Sequence, residues 1–109
     1  MPRARWSPTI VAVLQALAAG SRYGFDISDA TGLPSGTVYP ALGRLEDQGC
    51  VSSSWEDPRI AQREKRPPRR YYELTPAGDR ALADAVREYR ALERTVRARA
   101  RANRPRRLI

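Results

Sequence analysis

The chain has 109 residues, with 20 Lys+Arg against 12 Asp+Glu, a net charge of +8, no histidine and one cysteine. At 41% apolar and 29% charged it reads as one soluble globular domain, and a core that small, burying about 60–65% of the unfolded surface, gains from a partner subunit. The missing histidine removes the commonest acid/base group near neutral pH, and Cys50 alone allows neither an intrachain disulfide nor a Cys/His zinc site. No apolar run reaches the roughly 18–20 residues of a membrane span. No cofactor, no metal and no catalytic residue are expected, and an enzyme is disfavoured. All but one of the cations are arginine, the residue best suited to phosphate, so a polyanion leads as partner, although a GC-rich bacterial genome also enriches arginine and alanine.

The N-terminus has the outline of a secretory leader, with a basic Met1–Arg5, a mostly apolar Ile10–Ala19 and small residues after it. Gln15 interrupts that run, and Ser7-Pro8 reads as an N-cap followed by a first-turn proline. Ile10, Val13, Leu14 and Leu17 fall on one helical face, so a first helix is expected from about Pro8 to Ala19, stopped at Gly20, in a cytoplasmic protein. A second helix from near Tyr23 to Thr31-Gly32 carries Phe25, Ile27 and Ala30 inward. A third, capped by Ser35, runs to Gly49 with Val38, Ala41, Leu42 and Leu45 on one face; Pro40 is tolerable there only near the first turn. Three short helices with Gly-containing turns match a helix-turn-helix.

Two alternating stretches, Val51–Trp55 and Tyr71–Leu74, read as a hairpin, with Trp55 packing on Tyr72 and Cys50 buried. Glu56 to Pro68 between them is polar and too charged to pack. Thr75-Pro76 caps a last helix reaching at least Ala98. The expected fold is mainly α with a small β-hairpin wing: a winged helix-turn-helix over residues 1–75, then a C-terminal dimerisation helix and Arg-rich tail over 76–109.

Residues 59–70 carry a net charge of +5 and residues 94–109 carry +7, while Arg3 and Arg5 add +2, so the remainder is −6. A basic wing tip, with Arg63, Lys65, Arg66, Arg69 and Arg70, suits phosphates or a minor groove; a disordered linker is the alternative. Helix three offers Ser35, Gly36, Thr37 and Tyr39 at its start and Arg44 further on. Its first-turn amides suit a phosphate and Thr37 and Tyr39 suit base edges, or Ser35 merely caps. Glu46 and Asp47 give this helix a slight negative balance.

The ordered set Tyr23-Gly24-Phe25-Asp26-Ile27, Thr31 to Leu42, Arg44 to Gly49 and Arg70 to Gly78 closely resembles the PadR family of bacterial transcriptional regulators. The resemblance covers residues 8 to about 80. It implies a homodimeric winged-helix repressor on an inverted-repeat operator in double-stranded DNA, with Ser35, Gly36, Thr37 and Tyr39 facing DNA and Tyr23 near its backbone. Pro40 is normal for the family; Cys50 stands where most relatives have a larger apolar residue. The short C-terminal region is similar to the smaller branch of the family, with a single long helix.

Leu82, Ala85, Tyr89, Leu92 and Val96 follow 3-4-3-4 spacing, a dimerisation seam or a face packed on its own domain. The resemblance also implies a small planar or phenolic effector between the first and last helices, where Trp6, Ile10, Tyr89 and Leu92 either line a pocket or simply pack. Asp26 and Asp29, with no histidine or metal cluster beside them, read as solvated, and the tail from Arg94 to Arg107 as either solvated or non-specifically DNA- or nucleotide-binding. The competing function is a winged-helix protein-interaction or sequence-blind DNA-binding module, which the acidic balance of helix three favours.

Overall fold

The computed structural model describes residues 6–104; Arg3, Arg5 and the tail beyond Arg104 lie outside the described residues. α1 (Pro8–Ala18) starts where the sequence indicates: Ser7 Oγ accepts from the Ile10 amide at 3.2 Å with Pro8 in the first turn. Its buried face includes Val13 and Leu14, both fully enclosed, and Gly20 closes it at φ 111°.

α2 (Gly24–Thr31) corrects one expectation. Only Ile27 among its large side chains reaches the core, whereas Phe25 is 66% exposed and Ala30 lies outside too. Phe25 is two positions from Ile27, about 200° round the helix, so both cannot face inward. α3 (Ser35–Asp47) buries Val38, Ala41, Leu42 and Leu45. Its N-cap is Pro34, and Ser35 is the first helical residue with no side-chain cap bond, so the capping role expected of Ser35 is not taken. Pro40 sits one turn in; the carbonyl that loses its bond belongs to Gly36, which is exposed.

β1 (Val51–Trp55) and β2 (Arg70–Leu74) pair antiparallel, Val51 opposite Leu74 and Trp55 opposite Arg70. Tyr23 forms a bridge with Tyr71, and the Tyr72 amide donates to the Arg22 carbonyl at 2.7 Å, which fixes the start of α2 against the hairpin. The segment expected to stay unpacked is ordered. α4 (Pro58–Arg63) is capped by Asp57, which accepts from the Arg59 amide at 2.9 Å, and it buries Ala61. The signal was Asp57-Pro58, the same cap-then-proline pair that starts α1. Trp55 is 65% exposed rather than packed away on Tyr72, because its cross-strand partner is Arg70, whose guanidinium lies 5.2 Å from the ring centroid.

α5 (Pro76–Ala102) is capped by Thr75, whose Oγ1 accepts from the Gly78 amide at 3.1 Å and donates to the Gly49 carbonyl at 2.6 Å. Ala81 and Ala85 are buried against the body, and α5 then runs out of it, giving overall dimensions of 70 × 30 × 20 Å.

Candidate nucleic-acid interface

The start of α3, the start of α2 and the wing enclose one open groove of about 590 Å³, lined by Tyr23, Gly24, Phe25, Tyr39, Trp55, Arg66, Pro67, Pro68, Arg69, Arg70 and Tyr72, with no carboxylate among them. Of the expected DNA-facing residues, Tyr23, Tyr39, Arg66, Arg69 and Arg70 therefore share one surface. Tyr39 is 44% exposed, and its ring lies on the backbone of Gly24 so closely that a Cβ there would fall 2.3 Å from the ring. The Thr37 and Val38 amides bond the Pro34 carbonyl, which leaves those of Ser35 and Gly36 without a helical acceptor at the mouth of α3. Gly36 and Arg44 are exposed, and Ser35 and Thr37 half-buried. Arg69 stacks over the Tyr23 ring at 4.2 Å, and Tyr23 meets Tyr71 edge-on at 6.0 Å.

Two carboxylates that line no part of the groove hold two of its three cations, Arg66 and Arg70. Glu56, 6% exposed, takes both guanidinium ends of Arg66 at 2.7 and 2.8 Å, the Tyr71 hydroxyl at 2.9 Å and the Arg69 amide at 3.3 Å. The Arg66 hydrogen bonds, opposed by burial and aided by Tyr71 and the Arg69 amide, hold its carboxyl at about 2, well below the usual carboxylate range. In return Glu56 pushes the Arg66 guanidinium up. Arg66 also pairs with Glu64 at 2.6 Å, so its charge is largely spoken for and its first task is to order the wing. On α3, Glu46 accepts from Ser53 Oγ at 2.8 and 2.9 Å and from Arg70 at 3.4 Å, while Arg70 also donates to Ser53 at 2.7 Å. This ties α3 to the hairpin and accounts for much of the acidic balance noted on that helix.

Arg63 and Lys65 stand exposed at the end of α4, and no carboxylate lies within ion-pairing distance of either among the described residues. Lys65 turns the chain with φ 54°, in the left-handed region. Arg59, by contrast, is bound to Asp57, which lowers the Asp57 pKa and raises that of Arg59. Phe25 and Trp55 were not among the expected site residues. Their signal would have been the hairpin register and the helical angle from Ile27, both of which need the partner elements.

Along α5 the apolar seam grades outward. Ala85 is fully buried, Leu82, Tyr89 and Leu92 are half-buried, and Val96 is 55% exposed. Its near end thus packs on its own domain, while its far end, at Val96, is exposed among the described residues. Among the described residues, Trp6, Ile10, Tyr89 and Leu92 do not line one common cavity. Ile10 is 4% exposed, and Tyr89 donates its hydroxyl to the Trp6 carbonyl at 2.5 Å. Trp6 instead borders a cleft of about 450 Å³ with Gln48, Cys50, Ala77, Arg80, Ala81 and Asp84. Cys50 is buried as expected. Asp26 accepts from the Arg22 amide at 3.1 Å and Asp29 is exposed. Among the described residues no His/Cys/Asp/Glu group could hold a metal and no helix is long and apolar enough to cross a membrane.

Three helices with a tight α2–α3 turn, followed by a two-stranded wing, define a winged helix-turn-helix of the DNA-binding class. The transcriptional regulator PadR-like family model matches residues 13–84. The chain belongs to that family, one of transcription regulators and not of enzymes. Among solved structures it is similar to a PadR family transcription regulator from hypervirulent Clostridium difficile, at 23% identity and TM-score 0.74 over 84% of this chain and 97% of that one. A PadR-like transcription factor from Bacteroides fragilis matches at 28% identity and TM-score 0.66, over 82% and 86%. BpsR of Bordetella bronchiseptica, whose DNA binding is regulated by 6-hydroxynicotinic acid, matches at 21% identity and TM-score 0.67, over 87% and 67%. No curated protein matches the chain significantly.

Proposed function

We propose that the protein is a cytoplasmic, dimeric repressor that reads an inverted repeat through α3 and is relieved by a small planar or aromatic effector. The observation that carries this is the acid-free groove between α3 and the wing, with Tyr39 on one side and Arg69 and Arg70 on the other. A helix in the major groove and a wing on the neighbouring minor groove are separated by one sugar–phosphate strand, and a groove of this position and charge accommodates it. Ser35 and Gly36 offer amides to a phosphate, Tyr23 and Arg69 flank the strand, Thr37 and Tyr39 reach base edges, and Arg44, Arg63 and Lys65 add phosphate contacts. Division of labour falls at Thr75/Pro76, with reading in residues 1–75 and pairing through Leu82, Ala85, Tyr89, Leu92 and Val96 in 76–109. The exposed far end of that seam, at Val96, supports a second copy, as does the need to place two reading heads about 34–36 Å apart.

The effector is expected between the first and last helices at the dimer interface, beside Trp6, Tyr89 and Leu92, while Ile10, 4% exposed, belongs to the core behind them. A protein-interaction role, which rested on the acidity of α3, loses support because Glu46 is engaged by Ser53 and Arg70. Selection of bound duplexes from a random pool at near-physiological salt tests the reading. A two-fold symmetric motif, relaxed by Thr37→Ala/Tyr39→Ala, is the expected result. Salt-sensitive binding with no motif would refute it.

A further inference from the structure

The arginines of the second half of α5 form a stripe. Arg87, Arg90, Arg94, Arg97 and Arg101 recur at intervals of three and four residues, and all are exposed. At 3.6 residues per turn they lie about 140° round the helix from the apolar seam, along a length of about 21 Å. Arg87 pairs with Asp84 and Arg97 with Glu93. Arg90, Arg94 and Arg101 have no carboxylate within ion-pairing distance among the described residues, and no acid follows Glu93 in the chain. Like charges at these spacings repel along a helix, and the favourable helix dipole acts only within the last turn. A face built this way is at its most stable against a polyanion.

The direction of α5 says which one. It begins beside the Val51–Leu74 pair, the end of the hairpin remote from the wing loop, with Gly78 pressed on the Cys50 backbone, and still meets the start of α1 at Tyr89, whose hydroxyl donates to the Trp6 carbonyl. None of the stripe arginines lines the groove between α3 and the wing. We propose that the arginine stripe of α5 is a second DNA-backbone site, for a duplex segment other than the one under α3, so that the bound protein tethers two segments. This rests on the reading of the α3–wing face as the first DNA site. Duplex offers one phosphate per about 1.7 Å of axis over both strands, so about 12 lie within the length of the stripe and a fraction of them face it. Guanidinium groups bind phosphate oxygens bidentately, and such a contact takes any sequence.

The test uses the full chain and the variant Arg90→Gln/Arg94→Gln/Arg101→Gln, whose substitutions are all at exposed helical positions; far-UV circular dichroism checks that helix content is kept. A random-sequence duplex is immobilised, protein is added, and capture of a second, fluorescent duplex is measured, with binding to the first duplex followed separately by anisotropy. The parent captures the second duplex in a salt-sensitive way, while the variant loses about tenfold or more of the capture and binds the first duplex within about twofold of the parent. Equal capture by both proteins, or no capture by the parent, overturns the proposal. So does a parallel loss of first-duplex binding, which would put the stripe in the same footprint as α3. Failure of the operator reading is a separate result: sequence-blind first-duplex binding by the parent, unchanged by Thr37→Ala/Tyr39→Ala.

Discussion

Two glycines carry close backbone approaches of opposite consequence, and an alanine at each separates stability from recognition. At Gly78 a Cβ would lie 2.0 Å from the Cys50 carbonyl oxygen, where carbon and carbonyl oxygen ordinarily stay about 3.3–3.6 Å apart. The obstacle is backbone, so the first turn of α5 must move by more than about 1 Å. That movement breaks the Thr75 cap and its bond to Gly49. Overpacking costs about 1–3 kcal/mol and a lost cap about 1 kcal/mol, offset by about 1 kcal/mol of helix propensity. Gly78→Ala is therefore expected to lose about 1–3 kcal/mol, or about 5–20 °C in Tm for a domain this size. At Gly24 the obstacle is the far end of a 44% exposed Tyr39 ring, which can swing away. Gly24→Ala is expected to keep Tm within a few degrees but to relax sequence preference, because the ring leaves its reading position. Thermal unfolding at one protein concentration, since the Tm of any self-associating protein depends on it, and anisotropy against matched and mismatched duplexes read the two effects. Unchanged Tm in Gly78→Ala would refute the packing argument. Retained base preference in Gly24→Ala would refute the role of Tyr39.

Three other outcomes follow from the wing and the seam. Glu56 has its pKa depressed from 4.5 to about 2, so its contribution is fully present above pH 4.5 and is lost as pH falls toward about 2; Trp55 fluorescence should report wing loosening across that window, and a flat profile would count against the clamp. Arg63→Gln/Lys65→Gln should weaken binding to all duplexes alike and make the slope of log K against log salt shallower by about 1.8 if each meets one phosphate; a change in base preference would mean these side chains read sequence. Leu92→Asp/Val96→Asp should yield monomers by light scattering while leaving the Ala85 end of the seam packed, and a persistent dimer would place the interface elsewhere.

Much of this molecule was determined by local pattern. The helix starts at Ser7-Pro8 and Thr75-Pro76, the buried faces of α1 and α3 and the strand stretches depend on spacing and capping within a few residues, and a linear sequence displays these. Asp57-Pro58 carried the same signal for α4 but was outweighed by the charge around it. Burial of Glu56 depends on Arg66, Tyr71 and the Arg69 amide, ten or more residues away, converging on one carboxylate. Only the tertiary structure decided that Phe25 and Trp55 face outward into one groove with Tyr39, that Arg66 is held while Arg63 and Lys65 are available, and that the seam of α5 is covered at Ala85 and open at Val96. Each of these turns on which element lies opposite a side chain, and period and composition, being properties of one segment at a time, hold no record of that.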